Sequence, residues 1–289
     1  MWIADNWKDY EVIDTSGGEK LERWGKYTLL RPDPQVIWNT PKDHPSWKKL
    51  NGHYHRSSKG GGEWEFFDLP EEWSIKYNTR YGAELTFNLK PFSFKHTGLF
   101  PEQATNWEWF GKLIANRPLK VLNLFAYTGG ATCAALAAGA NVTHVDASKG
   151  MVTWAKENTV SSGLADCPVR WLVDDCVKFV EREIRRGNTY DGIIMDPPSY
   201  GRGPKGEIWK IEESIYPFIE LCSKLLSKDA SFFLINSYTT GLQPAVLSYM
   251  LNTVIVRKFG GNVESNEIGL PVSSNGLILP CGASGRWTR

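Results

Sequence analysis

The sequence predicts an α/β protein: a mostly parallel, Rossmann-like sheet of seven strands with helices on both faces, preceded by a small antiparallel β domain. Three observations carry this. From residue 121 onward, short apolar runs alternate with helix-length segments, as parallel βαβ units require. The first run, 121–125, is broken by Tyr127-Thr128-Gly129-Gly130 and followed by a stretch rich in alanine. Before about residue 90, short aromatic segments are instead punctuated by glycine and proline. The expected division is 1–90 for the β domain and 91–289 for the large domain.

In the first part, segments 10–14, 20–24, 27–31, 53–56, 64–68 and 73–77 read as strands. Thr15-Ser16-Gly17-Gly18 is a hairpin signal and Gly60-Gly61-Gly62 a turn. Nine of the 13 tryptophans precede Phe110, and core packing in a small sheet explains them better than a base-stacking platform. Segment 84–92 alternates and reads as a strand entering the large domain. Lys95-His96-Thr97-Gly98-Leu99-Phe100-Pro101-Glu102-Gln103 follows, and Pro101 suits a first helical position. The free N–H groups of such a start can face a bound carboxylate.

The large domain then reads in order. Strand 121–125 leads through the glycine turn into a close-packed helix that Gly139 ends. Strand 141–145 stops on Asp146, and Ser148 caps a helix running to 162. Strand 168–173 ends on Asp174-Asp175-Cys176 and helix 177–186 is amphipathic. Strand 190–195 ends on Asp196-Pro197-Pro198-Ser199-Tyr200, and a helix covers 211–226. Strand 230–235 ends on Asn236-Ser237, followed by helix 242–256 and closing strands near 262–268 and 276–281.

A chain of 289 residues suffices for a sizeable core. Its net charge of +1 does not advertise a nucleic-acid binder, although a local basic patch would suffice. The five cysteines are scattered and form no CxxC, so neither a zinc site nor a disulfide framework is expected, and a reducing cytoplasm fits. The polar, aromatic start is no signal peptide, and no apolar run reaches membrane-spanning length. Neither GxGxxG nor GxxxxGK[ST] follows a strand. Asp146, Asp174/Asp175 and Asp196 end successive strands, where the crevice of a doubly wound sheet opens. Carboxylates there repel phosphate and suit a ribose diol and a cation. S-adenosylmethionine has both.

VLNLFAYTGGAT, VDASKGMVTWAKEN, DDC and MDPPSY, in this order and spacing, resemble class I S-adenosylmethionine-dependent methyltransferases. More narrowly, they resemble the bacterial enzymes that modify large-subunit ribosomal RNA at cytosine carbon 5 or guanine ring nitrogen 7. The likeness covers about 95–237, including KHTGLFPEQ. It implies S-adenosylmethionine as cofactor, ribosomal RNA as partner, a cytoplasmic place, and neither metal nor membrane; the oligomeric state stays open. By this resemblance Thr97, Phe100 and Gln103 contact the cofactor from the preceding segment. Asn123, Phe125, Ala126, Tyr127, Thr128, Gly129 and Gly130 lie by its methionine part. Asp146 takes the ribose hydroxyls, and Ala147, Ser148 and Lys149 border the adenosine. Asn158, Asp174, and Asp175 with the Cys176 backbone complete the set, Asp175 at the adenine edge. Asp196, Pro197 and Pro198 sit beside the methyl group and target base, and Tyr200 stacks on a flipped-out base.

Residues 1–90 do not resemble the RNA-binding PUA module of that group. Nor is there a cysteine just past the fifth strand, where the cytosine enzymes carry their nucleophile; Asn236-Ser237-Tyr238-Thr239-Thr240 stands there. Cys222 is expected in a helix core and Cys281 in the last strand. Direct transfer to a nitrogen therefore fits better than a covalent carbon-5 route. Arg202, Lys205 and Lys210, with Trp209, read either as a phosphate- and base-contacting loop or as a solvated one. The competing readings are a small-molecule or protein acceptor, a cytosine enzyme using another cysteine, a nicotinamide dehydrogenase, and a binding module without catalysis.

Overall fold

The computed structural model describes residues 1–57, 61–92, 95–202 and 208–289, with only the backbone of Arg202. Its large sheet is assembled from α1 (Ala104–Ile114), β1 (Lys120–Leu124), α2 (Gly130–Ala137), β2 (Asn141–Asp146), α3 (Lys149–Ser161), β3 (Val169–Val173), α4 (Cys176–Arg185) and β4 (Gly192–Met195), then α5 (Ile211–Ser223), β5 (Phe232–Ser237), α6 (Pro244–Leu251), β6 (Asn262–Pro271) and β7 (Ile278–Thr288). The strand order is Trp2–Ile3, β6, β7, β5, β4, β1, β2, β3. Strands β1 to β5 are parallel and β7 runs antiparallel to both neighbours. From β1 the chain moves outward through β2 and β3, then returns to build β4 and β5 on the other side. That reversal opens a crevice at the carboxyl ends of β1 and β4.

The sheet has eight strands rather than the seven expected. The extra one is Trp2–Ile3, parallel to β6. Two residues carry no periodic signal, and what holds them is tertiary: the Arg286 guanidinium lies 3.6 Å from the Trp2 ring centroid. β7 likewise runs beyond the expected end, to Thr288. Its Ala283-Ser284-Gly285 centre has poor strand propensity, but a Cβ at Gly285 would stand 2.9 Å from Leu251 of α6, so the small residue lets the helix seat.

The N-terminal strands form where expected, as Tyr10–Ser16, Glu19–Trp24, Tyr27–Pro32, Gly52–Arg56 and Gly62–Phe66 in one sheet, with Trp73–Asn78 and Glu84–Leu89 as a separate hairpin. Gly17 and Gly18 turn the first hairpin with φ of 62° and 81°, which suits a type I′ turn. Gly60 lies outside the described residues. The sheet is not wholly antiparallel, however: Tyr27–Pro32 pairs in parallel with Gly52–Arg56, because the long connection between them crosses over instead of turning back. Most of the early tryptophans do pack. Trp24 and Trp107 are fully buried in one apolar cluster that also holds Tyr10, Ile75, Phe87 and Phe110. The N-terminal strands and one face of the large sheet thus share a core.

A buried polar network ties α1 to the C-terminal strands. Asn106 Nδ2 donates to Gln103 Oε1 (2.9 Å), Asn236 Oδ1 (3.0 Å) and Ser284 Oγ (3.0 Å). Arg286 Nε and Nη2 donate to Asn106 Oδ1 at 2.9 and 2.7 Å, and Nη2 reaches Thr105 O at 3.0 Å. Burial pushes this guanidinium down to about 9, and it makes no ion pair among the described residues. Arg286→Met removes these bonds and leaves Asn106 Oδ1 without its donors. It is expected to cost about 2–4 kcal/mol in urea unfolding with the far-ultraviolet circular dichroism unchanged; a loss under about 0.5 kcal/mol would mean the network contributes little.

Candidate active-site cleft

The turn after β1 is backbone-strained. Phe125 and Tyr127 adopt φ of 55° and 51°, and Gly129 has φ of 79°. For bulky residues this left-handed region costs on the order of 1–3 kcal/mol each, so the surroundings must impose it. Hydrogen bonds from several directions do so. Phe125 N–H donates to Cys176 Sγ (3.3 Å) and Ala126 N–H to Val145 O (3.1 Å). Tyr127 N–H donates to Asp146 Oδ2 (2.8 Å), and Thr128 Oγ1 to Gly98 O (2.5 Å). Glycine is also required by packing here. A Cβ on Gly129 would sit 2.8 Å from Ala155 Cβ, and one on Gly130 2.9 Å from the Trp107 ring.

Asp146, at the end of β2, accepts Tyr127 N–H on Oδ2 and Ser148 N–H on Oδ1, both at 2.8 Å. Burial raises its carboxyl above the usual carboxylate range, while those two donors hold it down. Each oxygen keeps a further lone-pair direction, so the group is preset to take two more donors side by side, as a ribose diol presents them. Ala147, Ser148 and Lys149 are exposed at the rim, with Ser148 Oγ capping α3 through Met151 N–H at 3.4 Å.

The cleft itself is walled by Leu99, Phe100, Gln103 and Trp107 on one side and by Asn123 and the strained turn on the other, with Ile194, Asp196 and Asn236 closing it. Phe100 stands between Tyr127 and Tyr238, with ring centroids 5.5 and 5.7 Å away. The Asp196 carboxyl makes no hydrogen bond among the described residues. Burial first, and the charge of Glu102 second, push it up to about 7. Pro197 is buried and Pro198 exposed; the Pro198 carbonyl accepts Trp209 Nε1–H at 2.7 Å, and Trp209 packs on Phe125. The turn after β4 is therefore clamped to the turn after β1. Tyr200 is 52% exposed, on a short hairpin of Tyr200–Arg202 with Ile208–Lys210.

Several residues expected at the cofactor also make scaffold bonds. Asn158 Nδ2 donates to Thr128 O (2.8 Å) and its Oδ1 accepts Asn88 N–H (2.8 Å), so it braces the turn from behind. Asp175 caps α4 through Lys178 N–H at 2.9 Å, and Asp174 pairs with Arg182. Thr97 is fully buried, and its Oγ1 has no partner among the described residues. Gln103 lines the cleft but spends its amide on Tyr238 Oη and the Asn106–Asn236 network. Of the basic loop, Lys205 lies outside the described residues, while Lys210 is exposed and paired with Glu213 at 3.0 Å. Glu102 and Tyr238 went unassigned in the sequence, although both lie within or beside quoted motifs. On the N-terminal sheet, His53, His55 and Glu65 bring potential metal-ligand atoms within 4.8 Å, each histidine already paired with a carboxylate.

Neither Cys222 nor Cys281 is poised as a nucleophile. Cys222 is fully buried within α5. Cys281 borders a neighbouring cavity, but its thiol donates to Leu279 O at 3.4 Å, and burial pushes it well above the ordinary thiol range. Cys222→Ser and Cys281→Ser are each expected to keep at least about half of kcat. A loss of 100-fold or more in a folded Cys281→Ser protein would restore the covalent route.

Comparison with known proteins agrees with this geometry. A family model for S-adenosylmethionine-dependent methyltransferases matches residues 44–208. A curated relative, the ribosomal RNA large subunit methyltransferase K/L of Shewanella frigidimarina, is 29% identical over 204 residues, covering 69% of this chain and 25% of its own. The chain thus spans about a quarter of that relative's length. The crystal structure of a SAM-dependent methyltransferase from Agrobacterium tumefaciens superposes with a TM-score of 0.91 at 36% identity, covering 99% of this chain and 93% of the other. The M. jannaschii tRNA m1G37 methyltransferase shares the fold, with a TM-score of 0.53 at 11% identity over 96% of this chain and 74% of its own.

Proposed function

Because the chain belongs to the S-adenosylmethionine-dependent methyltransferase family, we propose that it methylates a nitrogen of an RNA base, with ribosomal RNA the first candidate. S-adenosylmethionine supplies a methyl group activated by a sulfonium, so the protein has only to hold an acceptor lone pair in line and manage one proton. The residues present fit this cofactor: Asp146 keeps two acceptor directions, and the turn after β1 is held open by bonds that a ligand need not break. In this reading the cofactor set is the turn from Asn123 to Gly130 with Asp146, Ser148 and Lys149 at the rim.

The observation that carries the reading is Asp196. It sits at the switch point of the sheet, lines the cleft and is unpaired among the described residues, and it titrates near neutrality. Such a carboxylate accepts a hydrogen bond from an amino or ring N–H and takes its proton as the nitrogen is alkylated. The rigid Pro197-Pro198 turn holds it, and the half-exposed Tyr200 follows on the same segment. RNA as acceptor is supported by the name of the curated relatives and by the motif resemblance. No helix among the described residues is long and apolar enough to cross a membrane, and we place the protein in the cytoplasm, where ribosomal RNA is.

We assign residues 1–90 to the substrate side. They share a core with the large sheet, so point variants test this better than truncation. The deciding assay offers methyl-labelled S-adenosylmethionine to undermodified ribosomal RNA, total protein and a metabolite extract side by side. Label in RNA is expected. Label confined to protein or metabolites would remove RNA as the acceptor.

A further inference from the structure

A second cavity of about 350 Å³ lies against the first and shares Leu99 and Phe100 with it. Its outer wall comes from the N-terminal sheet, which presents Lys20, Arg31 and Asp33; Lys95, Glu102 and Tyr238 line the rest. Glu22 is consumed by Arg31, whose Nε and Nη2 reach its two oxygens at 2.7 and 2.8 Å, and by the Tyr10 hydroxyl at 2.7 Å. Asp33 is taken by Lys20 at 3.2 Å, with Glu22 at 3.7 Å from the same ammonium. Glu102 also lines the recess, and burial raises its pKa. His96, at the same wall, is held neutral by burial, which pushes it down to about 3.

Lys95 remains. Its ammonium donates to Pro32 O at 3.2 Å and makes no ion pair among the described residues, which leaves two N–H donors for a ligand. Its own carbonyl accepts Arg31 Nη1–H at 2.9 Å, so its backbone is tied to the cationic wall. Burial, then Lys20, Arg31 and Arg56 nearby, push Lys95 down to about 8. The Lys95 ammonium thus stands with uncommitted donors in a recess whose wall Phe100 is shared with the cleft of Asp196.

We propose that this recess holds the phosphate of the nucleotide being methylated, with Lys95 as its main contact, so that the base lies across Phe100 toward Asp196. The inference rests on the RNA reading above and refines it: the N-terminal sheet recognises the target nucleotide's backbone, not its base. One charge-assisted contact in a partly buried site is strong enough to show as an order of magnitude or more in affinity.

The test uses the full chain with S-adenosylhomocysteine present. Calorimetry compares the four ribonucleosides with their 5′-monophosphates for the wild type, Lys95→Met and Lys95→Arg. At least about a ten-fold preference for one or more monophosphates is expected, abolished in Lys95→Met and largely kept in Lys95→Arg, with S-adenosylhomocysteine affinity the same in all three. On RNA, Lys95→Met should raise KM by about ten-fold and change kcat little. Equal binding of nucleoside and monophosphate by the wild type, or a preference that survives in Lys95→Met, overturns the phosphate recess. Should the Lys95-dependent preference appear while the wild type labels no RNA, the recess stands as a phosphate site and the RNA reading falls.

Discussion

Asp196→Asn is expected to lower kcat by about 10²–10⁴-fold while changing S-adenosylmethionine affinity by less than about two-fold. The amide keeps the shape of the side chain and cannot take a proton. The wild-type kcat should rise with pH through a midpoint near 7, where the carboxyl ionises, and the Asn variant should lose that limb. Stability moves the other way. The folded-state pKa of Asp196 lies above the ordinary carboxylate value, so its contribution to stability is full at low pH and is lost as pH rises through about 7. Asn carries no such penalty. The variant should therefore melt at a higher temperature than the wild type at pH 8 and show no gain at pH 4. A kcat within three-fold of wild type, with the pH limb intact, would remove Asp196 from the chemistry.

The second large effect is on the cofactor. Asp146→Ala deletes the proposed acceptor for a ribose diol, worth about 1.5–3 kcal/mol, or ten- to 150-fold in Kd. The same carboxylate holds the Tyr127 and Ser148 N–H groups, and Tyr127 is one of the two bulky residues at positive φ. The variant therefore also releases the turn, which places the loss at the upper end of that range and adds about 1–2 kcal/mol of destabilisation. Calorimetry with S-adenosylhomocysteine, alongside urea unfolding, reads both. Unchanged affinity in a folded Asp146→Ala protein would move the cofactor elsewhere.

What could be read from residues alone was what local chemistry dictates. The run ending at Leu124, the glycine turn and the acid at Asp146 placed β1, α2 and β2 because apolar periodicity and positive-φ glycine leave few alternatives. The Asp196 turn was legible for the same reason: an acid before two prolines at a strand end has little freedom. What stayed hidden depends on partners far away in sequence. Glu22 occupies an inward position of its strand, and only the folded sheet shows that Tyr10 and Arg31 satisfy it. Lys20 and Arg31 sit in segments read only as strands, and the fold alone shows that they wall a recess together with Lys95 and Glu102. The motif places Asp175 and Asn158 at ligand positions, and only the fold shows that Asp175 also caps α4 and Asn158 also braces the turn after β1. The parallel pairing of Tyr27–Pro32 with Gly52–Arg56 had no local signal, because crossover and hairpin differ only in where the connection travels.

The identity of the methylated atom bears most directly on the account. The wild-type protein is incubated with methyl-deuterated S-adenosylmethionine and undermodified ribosomal RNA, and the RNA is digested to nucleosides for mass spectrometry. Deuterium is expected on a base nitrogen of one nucleoside, and is lost in Asp196→Asn. Deuterium on pyrimidine carbon 5, or RNA without label while protein or metabolites acquire it, would contradict this reading.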